Sequence, residues 1–168
     1  MKKRILIDLS VIILIGLFPM LWFGNGSIIL GHDSGLPLAP FAHFVDRLHI
    51  WSQRFGLGAD QNNLLLGAFF IHGIEAILSL TNFSLTIQQK IQFVYWFMLP
   101  GLSMYFVARK LWPTKINLPL IASVVYMLNF YLIQGWFVAE RTKFSIYISL
   151  PIVFYFAISY LIGKTKLF

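Results

Sequence analysis

The chain alternates between long apolar runs and short polar stretches. The first run, residues 5–23, is about 19 residues long and follows the basic cluster Lys2-Lys3-Arg4. A secretory signal would have a shorter core of about 7–15 residues and an Ala-x-Ala-like cleavage site, so this run is predicted to be an uncleaved spanning helix. Three further runs have close to the roughly 20 residues that cross a bilayer, at residues 91–110, 118–138 and 144–163.

A long segment, residues 24–90, separates the first two predicted spans. Within residues 40–55, large apolar side chains recur every three or four positions, and polar side chains fall largely on the other side. This pattern is typical of an amphipathic helix that lies in the plane of the membrane interface. Residues 64–80 are apolar but short, and they carry His72 and Glu75.

The number of spans depends on whether residues 64–80 cross the membrane. With five spans, six Lys and Arg residues would lie inside and seven outside, which opposes the positive-inside rule. If the segment only dips into the interface, four spans remain, with eight basic residues inside and five outside. The sequence therefore predicts an all-α membrane protein with about four transmembrane helices, an outer-face interfacial helix and a short dipping segment. Its N-terminus would be cytoplasmic.

Composition supports the membrane class and excludes others. Of the 168 residues, 58% are hydrophobic and 11% are charged, whereas soluble domains carry about 25% charged residues. The formal charge of +7 comes from residues at the ends of apolar runs, where charges set topology, so we expect a lipid bilayer as partner and no nucleic acid. The absence of cysteine excludes disulfides, Cys-metal sites and Cys nucleophiles within these residues.

The most informative polar stretch is Gly31-His32-Asp33-Ser34-Gly35. It follows a hydrophobic helix, so its carboxylate would sit at the boundary between membrane and water. An Asp in such a turn can also simply cap the local backbone. In the four-span arrangement, the short loop before the last span, with Glu140, Arg141 and Lys143, lies on the same outer side. The two acids could therefore converge on one site.

These features resemble the opening of the GT-C class of membrane glycosyltransferases. That class begins with a basic N-terminus, one span, and an acid in a long outer loop that contains an interfacial helix. The match is closer to the arabinofuranosyltransferase-like branch, in which a helix ending in Trp and a Gly-rich Gln-Asn turn follow the acid. The matching residues here are Leu48–Trp51, Phe55–Gly58, Gln61-Asn62, Val125–Asn129, Glu140 and Leu150-Pro151. Phe130 stands where that group has Pro.

The resemblance implies an inverting enzyme that takes a sugar from a polyprenyl-phosphate carrier and gives it to a glycan or lipid acceptor. Asp33 would be the catalytic base for the acceptor hydroxyl. Glu140 would bind the acceptor or, together with Asp33, a Mg²⁺ or Mn²⁺ ion. Arg141 and Lys143 would hold the carrier phosphate, with His32 as a second polar contact. The loop that contains Glu140 could equally be a solvated connection with charges at headgroup level.

Complete members of that class have many more helices. The chain is therefore expected to be an N-terminal fragment of a multi-pass protein of a prokaryotic plasma membrane. A second hypothesis is a non-catalytic membrane protein that uses the same loop to bind or move a lipid-linked intermediate. Two polar pairs, His43 with Asp46 and His72 with Glu75, are left outside the predicted site, because interfacial segments commonly carry such residues.

Overall fold

The computed structural model describes residues 2–24, 26–29, 37–52, 58–60, 65–137 and 141–163. Its α-helices, in chain order, are α1 Lys2–Gly16, α2 Pro40–Arg47, α3 Leu65–Ser79, α4 Leu85–Leu111, α5 Leu118–Met127, α6 Phe130–Trp136 and α7 Arg141–Leu161. A 3-10 turn, Phe18–Trp22, continues α1. Two short strands, β1 Trp51–Ser52 and β2 Ala59–Asp60, pair antiparallel.

Four helical stretches of the described chain are long and apolar enough to cross a membrane. They are Lys3–Trp22, Leu85–Leu111, Leu118–Trp136 and Lys143–Leu161. The predicted class, an all-α membrane protein with about four transmembrane helices, is confirmed. Helix α3 has 15 residues, which gives it a length of about 22 Å, well below the roughly 30 Å of a bilayer core.

Helix α4 is the centre of the bundle. In its most apolar 18-residue stretch, 56% of the residues are buried, whereas the figure for the last span is 17%. Helix α4 packs against α1, α3, α5 and α7. The contact with α5 is close at Gly101, because a Cβ there would overlap the Met127 sulfur, and Ser123 Oγ donates to the Gly101 carbonyl at 2.7 Å. Small residues at such positions let two spanning helices approach.

Contacts between α1 and the second span fix which loops share an end of the bundle. Arg4 Nη2 donates to Asn117 Oδ1 at 3.0 Å, whereas the ring of Trp22 packs on Phe93. Helices α1 and α4 are therefore antiparallel. The start of α1 and the turn of residues 112–117 lie at one end, which we call the N-terminal end. The end of α3 and the starts of α4 and α7 lie at the other, which we call the site end.

The interfacial helix is shorter than the prediction of residues 40–55. Helix α2 ends at Arg47, and Trp51 is already in β1. Gly58 has φ +108°, and the Trp51 indole fills the space where a side chain would be. The Trp51 ring packs on Gly58 beside the second strand, and this contact stops the helix before residue 51 although the apolar spacing continues. A local sequence pattern cannot reveal such a contact.

The third predicted span, residues 118–138, is interrupted between α5 and α6. Asn129 begins α6, since its Oδ1 accepts from the Leu132 amide at 2.9 Å, and Tyr126 OH donates to the Tyr147 carbonyl at 3.0 Å. Backbone polar groups at membrane depth must find partners within the protein. Asn129 satisfies two of them at the break, since its Nδ2 also donates to the Tyr126 carbonyl at 2.6 Å, whereas the Tyr126 hydroxyl serves a carbonyl within α7.

Candidate functional site

Glu75 is the centre of a polar cluster at the site end. It lies on α3 and is 1% exposed, although carboxylates are almost never fully buried unless they are paired. His72 lies one turn earlier on the same helix face, and its Nδ1 is 2.8 Å from Glu75 Oε2. The carboxylate accepts this hydrogen bond, so the imidazole donates through Nδ1.

Arg141, the first residue of α7, is the second partner of the carboxylate. Its Nη1 donates to Glu75 Oε1 at 2.5 Å, and the two side chains are 19% and 0% exposed. Each carboxylate oxygen is thus engaged by a different residue. The ion pair joins the segment after the first span to the loop after the third, across 66 positions of sequence.

Helix α2 completes the cluster from a third direction. The His43 ring meets the His72 ring edge to face, with centroids 4.6 Å apart and planes at 77°. Beside it, the Phe44 ring packs on Phe69 and against Gly73 of α3. The apolar side of α2 therefore lies along α3. We call His43, His72, Glu75 and Arg141 the Glu75 cluster.

The pKa of Glu75 is lowered from its ordinary value of 4.5. Burial by itself would raise the pKa, but the hydrogen bond from His72, the charge of Arg141 and the amide of Gln92 together outweigh it. Glu75 is therefore a carboxylate at neutral pH, and its negative charge is balanced by the Arg141 guanidinium.

Acid should destabilise the protein partly through this group. Because the folded pKa of Glu75 lies below the unfolded one, its stabilising effect is fully present above about pH 4.5 and is lost as the pH falls through the lowered value. Thermal unfolding followed from about pH 7 to about pH 3 should show this loss. The Glu75→Gln variant should lack that part of the pH dependence, and identical acid profiles for both proteins would contradict the assignment.

An aromatic layer closes the site end of the bundle. The Trp136 ring stacks on Phe144 at 4.1 Å and meets Trp22 at 5.1 Å, while Trp96 and Phe144 are 2% and 1% exposed. Ile71 of α3 packs against the same layer. Little water can reach the Glu75 cluster from this direction, so its charges depend on one another.

Gln89 of α4 holds the chain just before the polar stretch that contains Asp33. Its side-chain amide accepts from the Ile29 amide at 2.8 Å and donates to the Ile29 carbonyl at 2.7 Å. Gln89 is 0% exposed. Thr86 adds a hydrogen bond to the Gly26 carbonyl at 3.3 Å. The first turns of α4 thus fix the position from which the following segment departs.

The predicted site residues fall into two groups. Asp33, His32 and Glu140 lie outside the described residues, so their convergence stays a prediction. Arg141 and Lys143 lie at the start of α7, at the site end. The Lys143 ammonium sits 4.5 Å from the centroid of the Tyr131 ring, and Arg141 is the ion-pair partner of Glu75.

Two features of the site were missed from the sequence. The pair His72 and Glu75 was recognised by its spacing but left out, because its long-range partner Arg141 could not be foreseen. The buried glutamines Gln88 and Gln89 fall in the predicted connection, because the second span was predicted to begin at residue 91; in the structure, α4 begins at Leu85. The signal in the sequence was two side-chain amides directly before an apolar run. Such amides, when buried, need hydrogen-bond partners in a neighbouring segment.

The possible Mg²⁺ or Mn²⁺ ion was assigned to Asp33 and Glu140, so the described residues do not test it. Among the described residues, no group of three or more His, Asp or Glu side chains could hold a metal ion. Both oxygens of Glu75 are engaged by His72 and Arg141. The metal prediction rests on Asp33 and Glu140, which lie outside this part.

No protein-family model, curated protein or solved structure matches the chain. Its class is therefore defined by the fold alone, a polytopic helical membrane protein. Its distinguishing feature is a buried Glu-His-Arg cluster that ties the segment after the first span to the loop after the third.

Proposed function

We propose that the chain is the N-terminal part of an integral-membrane glycosyltransferase of the GT-C class. It would transfer a sugar from a polyprenyl-phosphate carrier to an acceptor hydroxyl at the outer face of a prokaryotic plasma membrane. The observation that carries the proposal is the contact between Arg141 and Glu75, because it brings together the two connections that contain the proposed catalytic residues. The resemblance described above supplies the reaction.

The proposed reaction is a single displacement with inversion. The acceptor oxygen bonds to the anomeric carbon of the sugar while the bond from that carbon to the carrier phosphate oxygen breaks. The Asp33 carboxylate takes the proton of the acceptor hydroxyl. The carrier leaves as polyprenyl phosphate, whose added negative charge is stabilised by the cations Arg141 and Lys143. Glu140 and His32 would position the acceptor.

Glu75 has a supporting role in this scheme. The Arg141 guanidinium carries five N–H donors in a rigid plane, and its bond to Glu75 fixes the direction of that plane. A fixed cation at the membrane surface is better suited to holding a phosphate than a freely rotating one, because less side-chain entropy is lost on binding. Glu75 would therefore act as a positioning residue.

The proposal is tested by sugar transfer in proteoliposomes that contain the full-length protein. Radiolabelled sugars are offered once as polyprenyl-phosphate esters and once as nucleotide sugars, with a crude glycan and lipid fraction as acceptor. We expect label to move only from the lipid-linked donors. Transfer from nucleotide sugars alone, or from neither donor class, would overturn the proposal.

The topology makes a separate prediction, which the lack of cysteine in these residues makes easy to test. Asn82→Cys lies in the turn before α4, and Thr114→Cys lies in the turn after it; both positions are exposed. In a protein without other cysteines, a membrane-impermeant maleimide should label Asn82→Cys in intact cells and Thr114→Cys only after lysis. The opposite result would mean that the N-terminus lies outside, because Arg4 and Asn117 share one end of the bundle.

A non-catalytic protein that binds or moves a lipid-linked intermediate is the second candidate. It is favoured by the state of Glu75, the buried carboxylate of the described site, whose two oxygens are both occupied. A carboxylate whose two oxygens are held by His72 and Arg141 is suited to keeping a cation in place for an anionic ligand rather than to accepting a proton from a substrate. The two candidates differ in one measurement, since only the enzyme depends on Asp33 for turnover.

A further inference from the structure

A second polar network lies at the N-terminal end, far from the Glu75 cluster. Asp8 is 2% exposed. Its Oδ1 is 3.0 Å from Arg4 Nε, and its Oδ2 accepts from Tyr105 OH at 3.2 Å. Arg109 in turn donates to the Tyr105 hydroxyl at 3.3 Å. One buried acid thus holds Arg4 directly and Arg109 through Tyr105.

This network borders a cavity of about 440 Å³. Three cations line the cavity, Arg4, Arg109 and Lys115, against the single acid Asp8. Within the described part of the chain, the Lys115 ammonium has no ion-pair partner. The cavity therefore has an excess of positive charge, and an anion is the ligand that this charge would attract.

An adjoining apolar cavity opens beside Arg109. It measures about 410 Å³ and is lined by Ile5, Phe106, Lys110 and Pro113 in addition to Arg109. Phe106 is 53% exposed on the outer surface of a spanning helix, where a bilayer would supply acyl chains. A basic cavity that continues into an apolar groove along a spanning helix matches the two parts of a phospholipid.

We propose that this pair of cavities binds one anionic phospholipid of the leaflet at the N-terminal end. Arg109 and Lys115 contact its phosphate. Arg4, paired with Asp8, adds positive charge to the same cavity. One acyl chain lies along Phe106 and Ile5. Basic pockets at the ends of spanning helices recognise anionic headgroups in this way. The inference does not depend on the proposed glycosyltransferase activity, because the two sites lie at opposite ends of the bundle.

Native mass spectrometry of the purified full-length protein tests the proposal with phosphatidylglycerol and phosphatidylcholine as probes. We expect one phosphatidylglycerol to be retained in preference to phosphatidylcholine. Each basic residue beside an anionic lipid contributes roughly a factor of five, so the double variant Arg109→Gln with Lys115→Gln should bind about thirtyfold more weakly. Arg109→Lys alone should keep most of the affinity, because it keeps the charge.

The matched control is the single variant Lys3→Gln, which removes a charge from the same end at a residue that lines neither cavity. It should change the affinity by less than about twofold if the cavity, rather than general attraction to the leaflet, holds the lipid. An equal loss in Lys3→Gln and in Lys115→Gln alone, or equal retention of the two lipids, would overturn the proposal. Displacement of the lipid by excess inorganic phosphate would also overturn it, because a free anion would then be the ligand. Unchanged thermal unfolding of the variants in detergent shows that they are folded.

Discussion

The Arg141→Gln variant should be less stable than the native protein by about 3 kcal/mol, because it leaves a buried carboxylate without its guanidinium. The Glu75 side chain is 0% exposed, so it cannot regain water without opening the packing between α3 and the spans. His72 stays beside it, but a single imidazole replaces only part of the lost charge compensation. Equilibrium unfolding of the purified protein in a denaturing detergent measures the effect.

Removing the other partner, in Glu75→Gln, should reduce the stability by less than Arg141→Gln does. In Glu75→Gln the remaining charge belongs to Arg141, which is 19% exposed and can turn toward water. We expect a loss of about 1–2 kcal/mol for this variant, close to that of a lost hydrogen bond to a charged group. The double variant should be more stable than Arg141→Gln alone. The difference between its loss of stability and the sum of the two single losses gives the coupling between the two residues.

Lys143→Gln is the matched control for this cycle. It removes the same charge from the same helix, two residues further on, where the ammonium lies over the Tyr131 ring. Such a cation–π contact contributes about 0.5–1 kcal/mol at an accessible position. If Arg141→Gln were no more damaging than Lys143→Gln, the ion pair would not be what ties α3 to α7.

The long apolar runs were sufficient to predict the spanning helices, because length and hydropathy are properties of the local sequence. The break at Asn129 was not predicted, since apolar residues continue on both sides and Asn129 is held there in part by the Tyr147 hydroxyl of α7, which donates to its Oδ1 at 3.5 Å. The shortened α2 has a similar cause, the packing of Trp51 on Gly58. Each difference arises from a contact between segments that are separate in the sequence.

The site could be predicted only in part, for the same reason. The loop with Arg141 was predicted to be part of a site from its charges and from the four-span topology, and Arg141 lies at the site end. Its partner Glu75 is 66 positions away, and no local pattern connects the two. Ionisable residues in an apolar segment are functional candidates by default, and His72 and Glu75 of α3 fit that rule.

The Asp33→Asn variant should lose between about a hundredfold and ten-thousandfold in sugar transfer, the range that a lost general base accounts for. Asparagine has nearly the shape of aspartate but cannot take up the proton of the acceptor hydroxyl. Because Gln89 anchors the backbone at Ile29, the variant segment should depart from the same point. The expected signature is a lower kcat with unchanged binding of the polyprenyl-phosphate carrier.

Two comparisons make this result specific to a base. Asp60→Asn removes a carboxylate from the same connection between the first two spans, at β2, and should leave transfer within about twofold, as expected for a residue outside the chemistry. Asp33→Glu keeps the carboxylate but moves it by one methylene, so it should recover part of the lost rate, since small displacements already reduce catalysis. Unchanged turnover in Asp33→Asn would remove the base assignment and favour the lipid-binding candidate. Loss of carrier binding together with turnover would instead make Asp33 a binding residue.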